Sequence, residues 1–261
     1  MGGSRRIGMV LQERDRRFLT ELATMRVVDR DQAKAAAGFG SITRVNARLL
    51  TLTRAGLLRR FFLGTSGAKQ KALYTLSAAG GQLIGSAHRG LQRRKDESSM
   101  GGAFVQHQLA LNDIYCTLKF QPIPLVGASF VRWLTWDVPL APSLLPDGYL
   151  ELQTPTGVLA AFVEVDLGTE RTAIWVEKVR QYLELARTGD YERRFGQSRF
   201  RVLVLANSER RMQSIRKSVA ALTEIIFWFS TLNLVRAGGF FRSVWLRPKG
   251  DEPLPLIKEF P

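Results

Sequence analysis

The chain has 261 residues, of which 45% are hydrophobic, so it is long enough for one large or two small domains and too apolar to be disordered throughout. Its formal net charge of +15 and pI near 10.7 indicate a polyanionic partner, most often nucleic acid. Cys116 is the only cysteine, which excludes an intrachain disulfide. Because no segment is typical of a signal peptide or a membrane span, we expect a cytoplasmic protein with no membrane partner.

The first half of the chain predicts three short helices followed by a β-hairpin. Apolar residues recur at helical spacing in each helix, and Asp29 and Ser41 are typical N-caps of the second and third. Two short apolar runs then flank a glycine-rich turn, which indicates a hairpin. In chain order, the predicted elements are helices over 13–27, 29–37 and 41–55, strands over 57–63 and 72–76, and a helix that begins at Ser77. This order is that of a winged helix-turn-helix, which we place over residues 1–88.

The outward face of the third predicted helix is where DNA contacts are expected. Its side chains are of types that reach bases or phosphates in a major groove, namely Arg44, Asn46, Arg48, Thr51 and Arg54. Lys69 and Lys71 lie on the predicted wing, where phosphate contacts are natural. A winged helix can also bind protein and leave its basic face solvated. The net charge of residues 1–99, which hold 19 basic and 7 acidic residues, favours DNA.

A basic linker and a second domain follow. Residues 89–102 combine arginines, glycines and polar residues, which predicts an exposed connection in which Arg93 and Arg94 contact a DNA backbone. Residues 100–261 hold 19 basic and 16 acidic residues, and residues 103–261 form the predicted second domain. Its predicted elements are a helix over 104–119, strands over 131–138, 149–153 and 159–166, a helix over 172–187, a strand over 201–206, a helix over 208–227 and a strand over 240–246.

Three carboxylates are placed to converge in this second domain. Asp147 begins one predicted strand, and Glu164 and Asp166 end the next. Alternate residues of a strand point to the same face, so Glu164 and Asp166 can share a site, and a hairpin would add Asp147. Hard oxygen ligands of this kind suit Mg²⁺ or Mn²⁺, which can activate water and polarise a phosphate. The pattern predicts a metal-dependent phosphodiesterase.

Lys178 and Tyr182 complete the array from one face of the following helix. Lys178 could neutralise phosphate charge or orient water, and Tyr182 could bind a phosphate or attack it. Simpler interpretations remain open, because Asp147 could be only a turn residue and Lys178 only the ion-pair partner of Glu164. The chain has no closely spaced pair of histidines, which disfavours a zinc nuclease or a histidine-dependent relaxase.

The order of elements, with Pro146-Asp147 on one strand and Glu164-x-Asp166 on the next, resembles the PD-(D/E)XK nuclease superfamily. With the winged helix in front, the run from His107 to Asp113 and the string that begins at Glu164, the chain resembles the replication-relaxation family. The resemblance implies an α/β (α+β) protein, in which an N-terminal winged helix precedes a restriction-endonuclease-like αβββαβ core with a mixed sheet.

The same resemblance assigns site residues. It implies Asp147, Glu164, Asp166, Lys178 and Tyr182 as catalytic, and adds Asp113 to Asp147, Glu164 and Asp166 as metal ligands for Mg²⁺ or Mn²⁺. One position departs from the superfamily pattern, which expects a lysine where this chain has Asp166. Lys178, on the next helix, is the natural replacement.

Together these features predict a DNA-binding, divalent-metal-dependent endonuclease or nickase that acts in replication or mobilisation of a plasmid or other mobile element. Its expected partners are DNA, a second copy of the chain and other replication or mobilisation proteins. The alternative is a non-catalytic initiator or transcriptional regulator that keeps a nuclease-like domain as scaffold.

Overall fold

The structure is a computed structural model that describes residues 10–63, 71–86, 102–142, 144–168 and 170–257. The chain forms two compact units, Met1–Cys116 and Thr117–Pro261. The predicted domain boundary at residue 103 therefore differs from the division between the units, because most of the helix that was expected to open the second domain belongs to the first. Apart from Gly102, the predicted linker lies outside the described residues.

The first unit has the predicted order of a winged helix. Its elements are α1 (Glu13–Met25), α2 (Arg30–Ala37), α3 (Ile42–Arg54), β1 (Leu58–Leu63), β2 (Lys71–Leu76), α4 (Ala78–Leu83) and the greater part of α5 (Gly102–Phe120). The Asp29 side chain accepts hydrogen bonds from the backbone N–H groups of Asp31 and Gln32, both at 2.8 Å, and so caps α2 as predicted. Apolar side chains at helical spacing, such as Leu22 and Leu49, are buried in one core. An antiparallel β1–β2 hairpin forms the wing.

Helix α5 is fixed to the winged helix by buried amide groups. The Asn112 amide donates hydrogen bonds to the carbonyls of Met25, at 3.1 Å, and Val27, at 2.6 Å, where the chain leaves α1. The Gln32 amide donates to the Leu109 carbonyl at 2.8 Å. The Asn112 bonds reach carbonyls at and just beyond the C-terminal end of α1, where a helix leaves carbonyls without intrahelical partners, and the Met25 carbonyl also accepts from the Val27 N–H at 2.7 Å. The sequence pattern around Asn112 therefore has a structural role in this unit.

We expect Asn112→Ala to lower the free energy of unfolding of the first unit by about 1–3 kcal/mol, because it removes the Asn112 donor from the buried Val27 carbonyl and one of the two donors to the Met25 carbonyl. Asn46→Ala, on the exposed side of α3, is the matched control and should change it by less than about 0.5 kcal/mol. Urea denaturation followed by circular dichroism measures both. Equal effects of the two substitutions would contradict the anchoring role.

The second unit is built on a five-stranded mixed sheet. Its elements are β3 (Ser129–Leu134), β4 (Gly148–Thr154), β5 (Gly157–Asp166), α6 (Thr172–Arg187), α7 (Asp190–Phe195), β6 (Arg201–Ala206), α8 (Glu209–Ala220), β7 (Phe227–Thr231), α9 (Leu232–Gly238), β8 (Ser243–Trp245) and β9 (Leu254–Pro255). The sheet order is β3-β4-β5-β6-β7, antiparallel through β5 and parallel from β5 to β7. This arrangement confirms the predicted α+β class with a mixed sheet.

The long helix predicted over 208–227 is wrong at its C-terminal end. Helix α8 ends at Ala220, and Phe227–Thr231 forms the edge strand β7 beside β6. Phe227 and Phe229 are buried against the main core, whereas Trp228 points to the other face, which is the alternation of a strand. Periodicity alone does not separate a short buried strand from a helix. The strand predicted over 240–246 is likewise reduced to β8, which pairs with β9 outside the main sheet.

Helix α7 was not predicted. Within the part of the chain that the structure describes, no helix is both long enough and apolar enough to cross a membrane.

Candidate functional site

The hairpin of β4 and β5 brings Asp147 beside Glu164. Gly148 pairs with Val163, and the Asp147 Oδ2 accepts a hydrogen bond from the Val165 backbone N–H at 2.7 Å. The Asp147 carboxylate thus extends the β4–β5 hydrogen-bond ladder by one position, just before the first residue of β4. A Cβ atom at Gly148 would lie 2.5 Å from the Trp133 ring, so the glycine of Pro-Asp-Gly allows close packing of an aromatic side chain. Pro146-Asp147-Gly148 therefore does more than form a turn, because Asp147 bonds to β5 and Gly148 packs against Trp133.

The Glu164 carboxylate is buried and both of its oxygens accept hydrogen bonds from α6. Lys178 Nζ lies 2.9 Å from Oε2, and the Tyr182 hydroxyl donates to Oε1 at 2.5 Å. Lys178 also contacts Glu170 Oε1 at 2.8 Å, and only 10% of the lysine side chain is exposed. The structure therefore brings together Glu164, Lys178 and Tyr182 as predicted, and it adds Glu170.

The charges in this cluster are interdependent. Burial raises the pKa of the Glu164 carboxyl; Lys178 lowers it, the neighbouring charge of Asp147 raises it, and the result lies above the usual range. Burial lowers the pKa of Lys178, but the charges of Glu164, Glu170 and Asp147 outweigh it and hold that pKa above its ordinary value. Lys178 is therefore a permanent cation that faces more than one acidic group.

Asp166 has different partners from those that the resemblance implied. Its carboxylate accepts hydrogen bonds from Arg211 Nε at 2.9 Å, from Arg211 Nη2 at 2.7 Å and from Trp175 Nε1 at 2.8 Å. Burial raises the pKa of this carboxyl, but the hydrogen bonds from Arg211, Trp175 and the Gly168 N–H, with the charge of Arg211, lower it below its usual range. Asp166 is thus the buried ion-pair partner of Arg211 on α8, and this pairing, which the sequence did not predict, occupies its carboxylate.

A metal ion at this cluster would have few protein ligands. Among the described residues, no three or more His, Cys, Asp or Glu side chains form a group that could hold a metal ion. Mg²⁺, however, is commonly held by one or two carboxylates together with water and substrate phosphate. Asp147 and Glu164 would supply such a pair, and within the described chain the Glu170 Oε2 is buried with no hydrogen-bond partner. Asp113 accepts a hydrogen bond from Gln32 and belongs to the first unit.

Glu170 and Arg211 are the site residues that sequence reasoning missed. Glu170 closes the string that begins at Glu164, and its position shortly before α6 was a usable signal. Arg211 lies in the first turn of α8, 45 residues after its partner Asp166. No local pattern links two residues so far apart, so only the fold could reveal this pair.

The predicted DNA-binding residues divide into exposed and engaged side chains. Arg44, Asn46 and Arg54 are exposed on α3, and Thr51 is half-buried, with its hydroxyl bonded to the helix backbone. Arg48 instead forms an ion pair with the buried Asp15, where Nε to Oδ1 is 2.8 Å.

The wing and the linker complete the predicted interface. Lys71 is exposed and pairs with the N-cap residue Asp29. Lys69, Arg93 and Arg94 lie outside the described residues. The DNA contacts of α3, the wing and the linker stay predictions.

We expect Arg44→Ala and Arg54→Ala to weaken DNA binding and each to reduce the salt slope of log K by about 1, because each removes one phosphate contact. Arg48→Ala should instead lower the free energy of unfolding by about 3 kcal/mol, because it leaves Asp15 buried without its partner. Fluorescence anisotropy at several salt concentrations and urea denaturation separate the two effects. A DNA-binding defect in Arg48→Ala with unchanged stability would contradict this division.

Tyr182 is placed to hold Glu164 and not to attack a phosphate. Its side chain is fully buried, and burial, with the charge of Glu164, raises the pKa of its hydroxyl well above the ordinary value. We expect Tyr182→Phe to lower the free energy of unfolding by about 1–2 kcal/mol. The amount of covalent protein–DNA adduct should be the same for this variant as for the wild type. Denaturation and denaturing electrophoresis with labelled DNA test both parts. An adduct that the substitution abolishes would overturn the positioning role.

Comparison with known proteins gives one family. Residues 14–198 match the sequence model of the family described as replication-relaxation, a range that includes the winged helix and the cluster around Lys178. Searches of curated proteins and of solved structures return no significant match. The family supports a role in replication or mobilisation of mobile elements. Because the match covers more than half of the chain, the protein belongs to the replication-relaxation family.

Proposed function

We propose that the protein is a DNA-binding, divalent-metal-dependent endonuclease or nickase that acts in the replication or mobilisation of a mobile element. The winged helix would bind the DNA site and the second unit would cleave a phosphodiester bond. The observation that carries the proposal is the cluster at the β4–β5 hairpin, where a buried lysine lies between two glutamates and beside Asp147.

The charge balance of the cluster supports a cation. Asp147, Glu164 and Glu170 together carry up to three negative charges, and Lys178 supplies one positive charge. Buried carboxylates that lack compensation are costly, and binding a metal ion is one of the usual ways in which proteins offset that cost. Asp147 and Glu164 would hold Mg²⁺ or Mn²⁺, with Glu170 beside them.

The division of roles follows from the contacts. The metal ion would supply an activated water and neutralise charge on the phosphate. Tyr182 fixes one oxygen of Glu164, and Lys178 holds the other and keeps a permanent positive charge at the cluster. Arg211 neutralises Asp166 and so prevents a further negative charge from facing the phosphate.

A non-catalytic initiator or regulator is the second candidate, and one observation favours it. Both oxygens of Glu164 already accept hydrogen bonds from protein groups, as they would in a scaffold that no longer binds metal. The two candidates make the same prediction for DNA binding and opposite predictions for cleavage.

A nicking assay separates them. With Mg²⁺ or Mn²⁺, the wild-type protein should relax supercoiled plasmid that carries the DNA of its own genetic element, and EDTA should stop the reaction. Asp147→Asn and Glu164→Gln should each reduce the rate by at least about 100-fold, because each removes a ligand of the ion that stabilises the reacting phosphate.

Glu177→Gln is the matched control, because it makes the same chemical change on α6 at a partly exposed residue that pairs with Arg180. It should nick at the wild-type rate. DNA that stays supercoiled with wild-type protein, while anisotropy shows binding to that same DNA, would reject the nuclease and support the regulator.

A further inference from the structure

The second unit has a cationic cleft at the end of the sheet opposite the Glu164 cluster. The cleft has a volume of about 910 Å³ and lies where β5, β6 and β7 begin. Ala160 is the lining residue of β5 nearest to Glu164, and the four positions between them correspond to roughly 13 Å along the strand. The charged side chains that line it are Arg199, Arg201, Arg247 and Glu192. Three of these four lining charges are positive.

Two of the arginines are packed on one aromatic ring. The guanidinium carbons of Arg201 and Arg247 lie 4.6 Å and 4.7 Å from the centre of the Trp228 ring. Neither forms a salt bridge among the described residues, and their hydrogen bonds go to backbone carbonyls, those of Leu256 for Arg201 and of Phe227 and Glu224 for Arg247. Each guanidinium has five N–H donors, so most donors of the pair remain for another acceptor.

The electrostatics of the pair are unfavourable without an anion. Burial, and after it the like charge of Arg247, lowers the pKa of Arg201 to about 10. Arginines in folded proteins are normally stabilised by carboxylates or phosphates, which the planar guanidinium binds through two parallel hydrogen bonds. A cleft that keeps two adjacent guanidinium groups without such a partner is suited to an anionic ligand.

The turn that leads into β7 adds a second, independent feature. Ile226 lines the cleft and has a backbone φ of 56°, in the left-handed region that a β-branched residue rarely adopts. The Arg247 side chain holds this turn by its bonds to Glu224 and Phe227. Backbone conformations of this kind persist where the surroundings impose them, and they are concentrated at functional sites. Trp228, whose ring contacts the two guanidinium groups, follows this turn by two residues.

We infer that this cleft binds the phosphate group of a nucleotide or of a single-stranded nucleic acid, through Arg199, Arg201 and Arg247. Its volume is within the range of small-molecule sites and exceeds what one inorganic phosphate fills. All three arginines follow residue 198, beyond the part of the chain that matches the family. The inference requires neither a metal ion nor cleavage.

Fluorine NMR of 5-fluorotryptophan-labelled protein tests the inference. All five tryptophans belong to the second unit, and Trp228→Phe identifies the resonance of Trp228. In EDTA, the full chain is titrated with inorganic phosphate, thymidine monophosphate and hexathymidylate. We expect a saturable shift of the Trp228 resonance, while the other four change little. Saturation by the mononucleotide would identify a nucleotide site, and saturation by hexathymidylate alone would identify a strand site.

Arginine variants test the chemistry. Arg199→Gln and Arg247→Gln should each lower the affinity for the saturating ligand by about tenfold, because each removes a charge-assisted hydrogen bond. Arg242→Gln, at an exposed arginine outside the cleft, should leave the affinity unchanged. Since Arg247 also holds a turn, Arg199, which is exposed, provides the variant that tests binding without disturbing the fold.

The result is independent of the proposed nuclease. Asp147→Asn should lose nicking and keep the Trp228 shift. An unmoved Trp228 resonance with all three probes at millimolar concentration, or unchanged affinity in both arginine variants, would overturn the inference.

Discussion

The second unit depends on a lysine that is buried among carboxylates. Removing the Lys178 ammonium group and the Glu164 carboxylate from water costs several kcal/mol for each ion, and only close pairing offsets that cost. Lys178 makes this pairing with Glu164 and Glu170, and Tyr182 satisfies the remaining oxygen of Glu164. Strand β5 and helix α6 are thereby fixed at one place along their length, and the register of the β4–β5 hairpin then determines where Asp147 lies.

Much of this arrangement follows from local patterns. Caps, helical periodicity and strand alternation predict the three helices and the hairpin of the winged helix, and they predict α6 and β6 with the bounds that the structure has. Glu164 and Asp166 share a face because they are two residues apart in a strand. Lys178 and Tyr182 share a face because they are four apart in a helix. Each inference needs only a period and a boundary.

The parts that sequence reasoning missed depend on contacts between distant segments. Phe227–Thr231 forms a strand because β6 offers an edge with which it pairs, and nothing in the apolar run itself separates that outcome from a helix. Helix α5 follows the same logic. Its apolar face suits either domain, and the bonds that Asn112 makes with Met25 and Val27 associate it with the winged helix.

The Asp166 position shows how one distant partner changes the meaning of a motif. The superfamily pattern has a lysine two residues after the strand glutamate, and that lysine would lie on the face of β5 that Arg211 covers. In this chain Asp166 is matched by the Arg211 guanidinium, while the lysine charge comes from α6 and is matched by Glu164. A lysine at position 166 would place two cations in contact and would leave Arg211 without its carboxylate, at a cost of several kcal/mol. Asp166 and Lys178 are therefore two consequences of one constraint. Each buried acidic residue on this face of β5 has its own cationic partner, and the two cations come from different helices.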